Sequence, residues 1–359
     1  MTGIKIGNKT SRLPIIQGGM GVGVSLHRLA GTVAKEGGIG IISTADIGFQ
    51  EPDFDMTPQE ANLRAIKKEI ALAREIANGG ILGVNIMVAA QQYEDIVREC
   101  VANKIDIIIS GAGLPMKLPE LVKGSKTKIA PIVSSVRAFR LILKGWVKRY
   151  EYIPDLVIIE GPLAGGHLGF SYDELADHPQ SLEEIVLDVL AATKEAEQEF
   201  GVKIPVVAAG GIFTGDDVSR FIKLGAAGVQ VATRFVVTEE CDAAPEFKQA
   251  YIDAEEDDIE IIKSPVGMPG RAIRNAFIRR IEKKKEKIKR CSLCLKSCHI
   301  DKAPYCITEA LINSVKGNVS NGVIFCGSSA SKLKSLTTVK KLLDELCGCL
   351  PVPAASATV

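Results

Sequence analysis

The 359-residue sequence predicts an α/β fold, a closed (β/α)₈ TIM barrel, on the strength of three observations. Eight short apolar runs alternate with longer stretches of helical apolar spacing from residue 13 to about residue 240. The runs are apolar almost throughout, as expected for parallel strands that are buried on both faces. Glycine or polar residues follow most of the runs, at the strand ends where barrel enzymes carry their sites. An open doubly wound sheet is the alternative fold.

The predicted elements follow in chain order. The strands are residues 13–17, 38–42, 81–84, 105–109, 129–133, 156–159, 205–209 and 228–231. The helices are 58–77, 92–103, 136–148, 181–200 and 216–224, preceded by one that Ser25 caps and that runs to Glu36. Residues 1–245 are assigned to the barrel.

Two further regions follow the barrel. In residues 246–290, Ile273, Phe277, Ile278 and Ile281 lie at helical spacing, so we expect a helical segment that packs on the barrel. Residues 291–359 are predicted to form a cysteine-rich lobe with a last helix near 339–346 and a loose tail.

Composition and charge narrow the range of partners. The formal net charge of +1 gives no indication of binding to nucleic acid or to an anionic membrane. No N-terminal segment resembles an export signal, and no apolar run approaches the ~20 residues that span a bilayer. Of the nine cysteines, seven follow residue 290, which favours reduced thiols or a metal site over disulfides. We therefore expect a cytoplasmic protein that acts on a small molecule.

The stretch that follows the sixth strand carries the strongest catalytic signal. It reads EGPLAGGHLGF from Glu160 to Phe170, and its His167 is one of four histidines in the chain. Glycines there allow positive φ and a close approach of the backbone to a ligand. The stretch predicts a catalytic histidine beside a bound cofactor. The alternative is a flexible glycine loop whose histidine caps a neighbouring element.

The loops after strands seven and eight predict a phosphate site. Gly210 and Gly211 expose backbone N–H groups, and Thr233 adds a hydroxyl near the start of a short helix. The alternative is that the glycines only make tight turns. Because no GxGxxG fingerprint with its partner acid is present, a mononucleotide flavin fits better than NAD or FAD.

Five motifs resemble the nitronate monooxygenase family, formerly called 2-nitropropane dioxygenases. They are QGGMG (17–21), GVNIM (83–87), AGGHLG (164–169), AAGGI (208–212) and GVQVATRF (228–235). The resemblance covers about residues 10–280, and the related flavin-type enoyl-ACP reductases share these motifs. It implies non-covalent FMN and the oxidation of alkyl nitronates with O₂. The alternatives are an NADH-dependent enoyl-ACP reductase and a flavin-binding interaction protein. O₂ or NAD(P)H is the expected second substrate, and a homodimer is a further possibility.

The resemblance also implies roles for individual residues, with His167 as the catalytic base. The implied cofactor contacts are Gly19, Met20, Asn85, Ser110, Glu160, Gly165, Gly166, Gly210, Gly211, Gln230, Val231, Ala232 and Thr233. The sequence departs from the family pattern at Pro162-Leu163, where an acidic residue is usual. It also departs at Glu160, where glutamine is common, and at Ala232, where glycine is common.

Two C-terminal features carry further hypotheses. The spacing C-x₂-C-x₃-C-x₇-C predicts a zinc or iron–sulfur site; its ligands would be Cys291, Cys294, Cys298 and Cys306. The alternative is a set of reduced thiols that pack the lobe. In the loop 264–275, Arg271 or Arg274 could meet an anionic substrate or cofactor, or could simply cap helices and pair with nearby acids.

Overall fold

The structure, a computed structural model, describes residues 3–177, 179–348 and 350. Its strands are β1 (Lys5–Ile6), β2 (Lys9–Thr10), β3 (Ile15–Gln17), β4 (Ile39–Ser43), β5 (Ile81–Met87), β6 (Ile107–Gly111), β7 (Lys128–Val133), β8 (Val157–Glu160), β9 (Gly166–His167), β10 (Val206–Ala209), β11 (Gly228–Val231), β12 (Ile259–Lys263) and β13 (Pro269–Ile273). Its α-helices are α1 (His27–Lys35), α2 (Pro58–Ala77), α3 (Tyr93–Ala102), α4 (Leu118–Leu121), α5 (Val136–Tyr150), α6 (Tyr172–Ala176), α7 (Leu182–Phe200), α8 (Gly215–Leu224), α9 (Thr233–Val236), α10 (Pro245–Ile252), α11 (Ala276–Lys283), α12 (Ile307–Val315) and α13 (Val339–Cys347). Short 3₁₀ turns lie at Glu256–Asp258, Val319–Asn321 and Ala330–Lys332.

Eight parallel strands close into a barrel in the order β3-β4-β5-β6-β7-β8-β10-β11, so the predicted TIM barrel is confirmed. Closure comes from β11, which pairs in parallel with β10 on one side and with β3 on the other. Alternate residues point to opposite faces of a strand. In β4, Ile39 and Ile41 therefore fill the barrel interior while Ile42 packs outward under the helices. Burial on both faces explains why the strand sequences are almost wholly apolar.

A glycine in β4 sets the distance between the barrel and its first helix. Helix α1 packs against β4 and α2. A Cβ atom placed on Gly40 would overlap the backbone carbonyl of Ala30 in α1. The helix can therefore approach the sheet closely only because residue 40 lacks a side chain.

The helices begin and end for local reasons in most cases. Ser135 and Ser181 cap α5 and α7 with their hydroxyls, and Gly201 ends α7 in the left-handed conformation, with φ of 68°. Helix α1 is different, because Ser25 does not cap it as predicted. Its first amides instead bind the carboxylate of Asp242, which lies 216 residues from Leu26 in sequence. Among the described residues, no helix is long and apolar enough to cross a membrane.

The region after the barrel contains an element that the sequence pattern does not reveal. The prediction for residues 246–290 is helical, but between α10 and α11 they form the antiparallel hairpin β12–β13. Ile273 ends a strand, and the helix with buried Phe277 and Ile278 starts only after its cap, Asn275. The tight turn from Ser264 to Gly267 reverses the chain between the two strands. Strand β13 also pairs with β9, so this hairpin lies over the barrel mouth.

The last part of the described chain packs against the helices that cover the barrel. Helix α13 lies against α1, α8 and α9. Its Leu342, Leu343 and Leu346 are buried in the same apolar cluster as the barrel-covering helices. The predicted loose tail, residues 351–359, lies outside the described residues, as does Cys349.

Replacing Gly40 by Ala tests the close approach of α1 to β4. The added methyl group must push the Ala30 backbone away, and overpacking of this kind costs about 1–3 kcal/mol. Urea denaturation of the Gly40→Ala variant should therefore show a lower free energy of unfolding. Unchanged stability would mean that α1 can move off the sheet at no cost.

Candidate active site

A cavity of about 600 Å³ opens at the C-terminal ends of the barrel strands. Twelve of the thirteen predicted cofactor contacts line it, together with His167. Its opposite wall comes from the hairpin and the C-terminal residues, which the sequence patterns do not place there. The apolar side chains of that wall are Val266, Met268, Leu295, Ile307, Leu311, Val323 and Phe325. The cavity thus combines a glycine-rich floor with an apolar wall.

Ser110 is the one predicted contact that does not line the cavity. Its side chain is fully buried, and its Oγ donates to the carbonyl of Ile86 at 3.0 Å. The same Oγ lies 3.0 Å from the hydroxyl of Tyr93 in α3. The side chain of Ser110 therefore faces the helical layer, and the following residues Gly111–Gly113 reach the cavity instead.

His167 lies at the cavity wall in a largely apolar environment. Strand β9 places it opposite Gly270 of the hairpin, and the ring of Phe325 packs edge-on at 4.7 Å between centroids. Its Nε2 atom lies 2.6 Å from Oγ of Ser264. Burial lowers the pKa of His167 to about 4, so the imidazole is neutral at neutral pH.

Glu160 ends β8 and contributes a carboxyl group to the cavity. Its Oε2 accepts one hydrogen bond, from the backbone N–H of Gly169 at 2.9 Å. Burial raises its pKa to about 7, while the Gly169 amide and the charge of Arg271 lower it only in part. Glu160 is thus a cavity carboxyl whose protonation changes near neutral pH.

Two amide side chains in the cavity fit a flat heterocycle that carries both donors and acceptors. Oε1 of Gln230 is buried and has no hydrogen-bond partner among the described residues. The side chain of Asn85 makes no hydrogen bond within the same set. Cβ atoms on Gly18 and Gly19 would meet Gln230 and Asn85, so these glycines keep the floor open. An unpaired buried amide is costly unless a ligand completes it, and a flavin ring has matching groups.

The residues predicted to bind phosphate, Gly210, Gly211 and Thr233, line the same cavity. Gly210 and Gly211 have positive φ, 101° and 81°, which lets their N–H groups turn toward the cavity. Neither N–H donates to another group among the described residues. At the start of the longer helix α8, the Thr214 hydroxyl accepts from the N–H of Asp217, and the Asp217 carboxylate accepts from the N–H groups of Phe213 and Thr214. Backbone donors of the glycine loop and the Thr233 hydroxyl remain for an anion.

The phosphate site has a second side that the sequence analysis does not predict. Residues 325–329 lie against the histidine loop and Thr233: the N–H of Ser328 donates to the carbonyl of Leu163, and the N–H of Gly327 donates to Oγ1 of Thr233 at 3.1 Å. The backbone of Cys326 also lies where a Cβ on Gly165 would fall. The run Gly327-Ser328-Ser329, two hydroxyls after a glycine, is a usable signal, but it lies far from the barrel motifs.

The two arginines of the loop 264–275 do not line the cavity. Arg271 donates through Nη1 to the carbonyls of Pro162 and Ala164, so it fixes the histidine loop. Arg274 pairs with Glu260 and Glu282 on the surface. Among the described residues, no lysine or arginine side chain lines the cavity.

The four cysteines predicted as metal ligands are not assembled into one site. Among the described residues, no group of three or more His, Cys, Asp or Glu side chains could hold a metal ion. Cys294 lines the apolar wall of the cavity, whereas Cys291 is exposed to solvent. Burial raises the pKa of Cys294 to about 12, so its thiol is protonated. The metal-site prediction for Cys291, Cys294, Cys298 and Cys306 therefore stays a prediction without support from the described residues, and the alternative of reduced thiols packing the lobe fits their positions.

Comparison with known proteins identifies the family. The sequence model of the nitronate monooxygenase family matches residues 4–348. The chain belongs to the nitronate monooxygenase family. Members of this family are flavin-dependent oxidoreductases, so the chain is an enzyme of that class. It is 26% identical over 371 residues to a probable nitronate monooxygenase of Bacillus subtilis, a match that covers 93% of this chain and 95% of that protein.

Solved structures of similar proteins show the same architecture. FabK of Thermotoga maritima superimposes with a TM-score of 0.71 at 26% identity, over 94% of this chain and 92% of that one. A nitroalkane oxidase of Streptomyces ansochromogenes gives a TM-score of 0.72 at 20% identity, over 94% of this chain and 95% of that one. The second likeness speaks for the fold alone.

Replacing Glu160 by Gln tests the electrostatics of the cavity. The folded protein holds the Glu160 proton up to pH about 7, whereas the unfolded chain loses it near the usual value of 4.5. Between these values the native state binds more protons, so this residue makes stability fall as pH rises. The stability of Glu160→Gln relative to wild type should therefore increase from acidic pH to pH 8, measured by urea denaturation.

The same substitution at the exposed Glu195 controls for the loss of one negative charge. Parallel pH profiles for wild type and Glu160→Gln would contradict the raised pKa.

Proposed function

We propose that the protein is an FMN-dependent nitronate monooxygenase, which oxidises alkyl nitronates with O₂ and uses His167 at the substrate. Family membership over nearly the whole chain supports the reaction class. The observation that carries the proposal is the position of His167: it lines the cavity whose floor offers unpaired amides and glycine N–H groups to a flavin.

FMN is the proposed form of the flavin because the residues predicted to bind phosphate form one set of donors at the described cavity wall. Gly210, Gly211 and Thr233 line the cavity together with residues 326–329, and the N–H of Gly327 donates to Oγ1 of Thr233. Gln230 and Asn85 would contact the ring. Bound FMN supplies the electron acceptor that amino-acid side chains lack, and the protein binds it and places the substrate beside it.

The low pKa of His167 bears on which form of the substrate reacts. A neutral nitroalkane must lose its α-proton, and an imidazole of pKa about 4 is a weak acceptor for that proton. A nitronate has already lost the proton and needs only to be held in place. The site therefore fits a nitronate better than a nitroalkane. The general-base role of His167 stays a prediction that a pH–rate profile can test.

A second candidate is the reduction of an enoyl thioester with NAD(P)H. The apolar wall made by Leu295, Ile307 and Phe325 could contact an acyl chain. The absence of lysine and arginine from the lining, within the described residues, is also suited to an uncharged reacting group. The similarity to FabK of Thermotoga maritima supports this alternative.

Anaerobic stopped-flow absorbance separates the two candidates. We expect an alkyl nitronate alone to bleach the bound flavin rapidly, because the substrate itself is the electron donor. Rapid bleaching by NADH and slow bleaching by nitronate would replace the first candidate by the second. Bleaching by neither would favour the third possibility, a flavin-binding protein without this activity.

The variant His167→Asn tests the role of the histidine in this reaction. It removes the imidazole but keeps a small polar side chain, so flavin should stay bound while turnover with nitronate is lost by about 10²-fold or more. The flavin content of the purified variant, read from its visible spectrum, controls for damage to the cofactor site. Wild-type turnover in this variant would remove His167 from the mechanism.

The metal content of the protein needs a separate measurement. Because the structure does not assemble the four C-terminal cysteines into a site, we expect fewer than about one zinc or iron per chain after anaerobic purification. Elemental analysis beside quantified FMN gives the ratio. One metal ion or more per chain would support Cys291, Cys294, Cys298 and Cys306 as ligands.

A cytoplasmic location and a homodimer also stay predictions.

A further inference from the structure

We infer that Ser264 is a positioning residue that fixes the tautomer of His167, so that the imidazole presents an N–H donor, at Nδ1, to the bound substrate. This inference rests on the proposed function, because it concerns how the histidine holds a nitronate. It is carried by the hydrogen bond between Ser264 and His167 and by the donors and acceptors around it.

The hairpin fixes the position of the Ser264 hydroxyl. Ser264 follows β12 directly and opens the turn Ser264-Pro265-Val266-Gly267, in which the N–H of Gly267 donates to the Ser264 carbonyl at 3.0 Å. Proline at the second position and glycine at the fourth suit this turn. The N–H of Val266 also donates to Oγ of Ser264 at 3.3 Å, a local bond that orients the side chain. The serine is therefore held by its own turn rather than by the histidine.

The hydroxyl group of Ser264 has one hydrogen-bond acceptor within reach among the described residues. Among the described residues, Nε2 of His167 is the only acceptor within hydrogen-bond distance of Ser264 Oγ, at 2.6 Å. Ser264 itself is buried, 9% exposed, so an unpaired hydroxyl proton there would be costly. The hydroxyl consequently donates to Nε2.

This bond decides where the imidazole proton lies. A neutral imidazole with an accepting Nε2 carries its proton on Nδ1. Nδ1 makes no hydrogen bond to any described residue, and His167 lines the cavity. The Nδ1–H group is thus the free ring donor for a ligand.

An N–H donor suits the proposed substrate. The oxygens of a nitronate carry its negative charge, and no lysine or arginine among the described residues lines the cavity to meet them. A neutral N–H group fixed in place can bind a developing or resident anion without reorganising at the moment of reaction. Glu160 also lines the cavity and must be protonated for an anion to sit beside it without repulsion.

The rigidity of the histidine follows from the same contacts. Strand β9 is paired with β13 through His167 and Gly270, and the N–H of Leu168 donates to the carbonyl of Pro269 at 2.9 Å. The hairpin β12–β13 therefore fixes the backbone of His167 through β13 and its ring through Ser264.

The test is the tautomer of His167 in the flavin-bound protein, read from long-range ¹H–¹⁵N spectra of histidine-labelled samples. His167→Asn assigns the resonance among the four histidines. We expect a protonated Nδ1 and an accepting Nε2 in wild type at neutral pH. In Ser264→Ala this pattern should change to the other tautomer or to a mixture, and kcat/KM for nitronate should fall about three- to tenfold.

Two further variants make the result specific. Ser264→Thr keeps the hydroxyl and should restore the wild-type spectrum. Ser134→Ala removes another cavity hydroxyl, which donates to the carbonyl of Gly169 at 2.7 Å, and should leave the His167 tautomer unchanged. A wild-type His167 protonated on Nε2, or an unchanged spectrum in Ser264→Ala, would overturn the inference. Because the spectrum needs no turnover, a failure of nitronate oxidation alone would sink the proposed function and leave this result standing.

Discussion

The parallel pairing of β11 with β3 is the constraint on which the site depends. It closes the barrel and brings the end of the last strand, with Gln230 and Thr233, beside the end of the first, with Gly18 and Gly19. Residues more than 200 positions apart in sequence become the two halves of one cavity floor. The apolar interior that makes this closure stable is built largely from isoleucine at alternate strand positions, so the same residues that stabilise the fold also place the polar strand ends.

The second determinant is the hairpin laid over the barrel mouth. The barrel alone supplies glycine-lined ends, which are suited to a flat cofactor but offer little to orient a substrate. The hairpin adds a strand partner for His167, and the turn at Ser264 adds a side chain for its ring. Arg271, on the same hairpin, holds the carbonyls of the preceding loop. The candidate cofactor contacts thus come from the barrel, and the groups that orient the histidine come from its cover.

Local patterns explain how much of this the sequence could predict. Apolar runs and glycine pairs are properties of neighbouring residues, so the eight strands, His167 and Gly210-Gly211 are recognisable in the sequence alone. Long-range partners are not: helix α1 is capped by Asp242 rather than by the nearby Ser25. The contact of Ser264 with His167 cannot be recognised in the sequence, because it forms only when the hairpin pairs with β9. The cysteine spacing shows the converse, since residues close in sequence are separated in the structure, with Cys291 exposed to solvent and Cys294 at the cavity wall.

The C-terminal residues belong both to the cavity and to the core. Residues 325–329 line the cavity beside Thr233, and α13 soon afterwards is buried against α1 and α8. Occupancy of the phosphate site and attachment of the last stretch of chain are therefore thermodynamically linked. A ligand that contacts Gly327 or Ser328 should therefore also protect the end of the chain from unfolding and proteolysis.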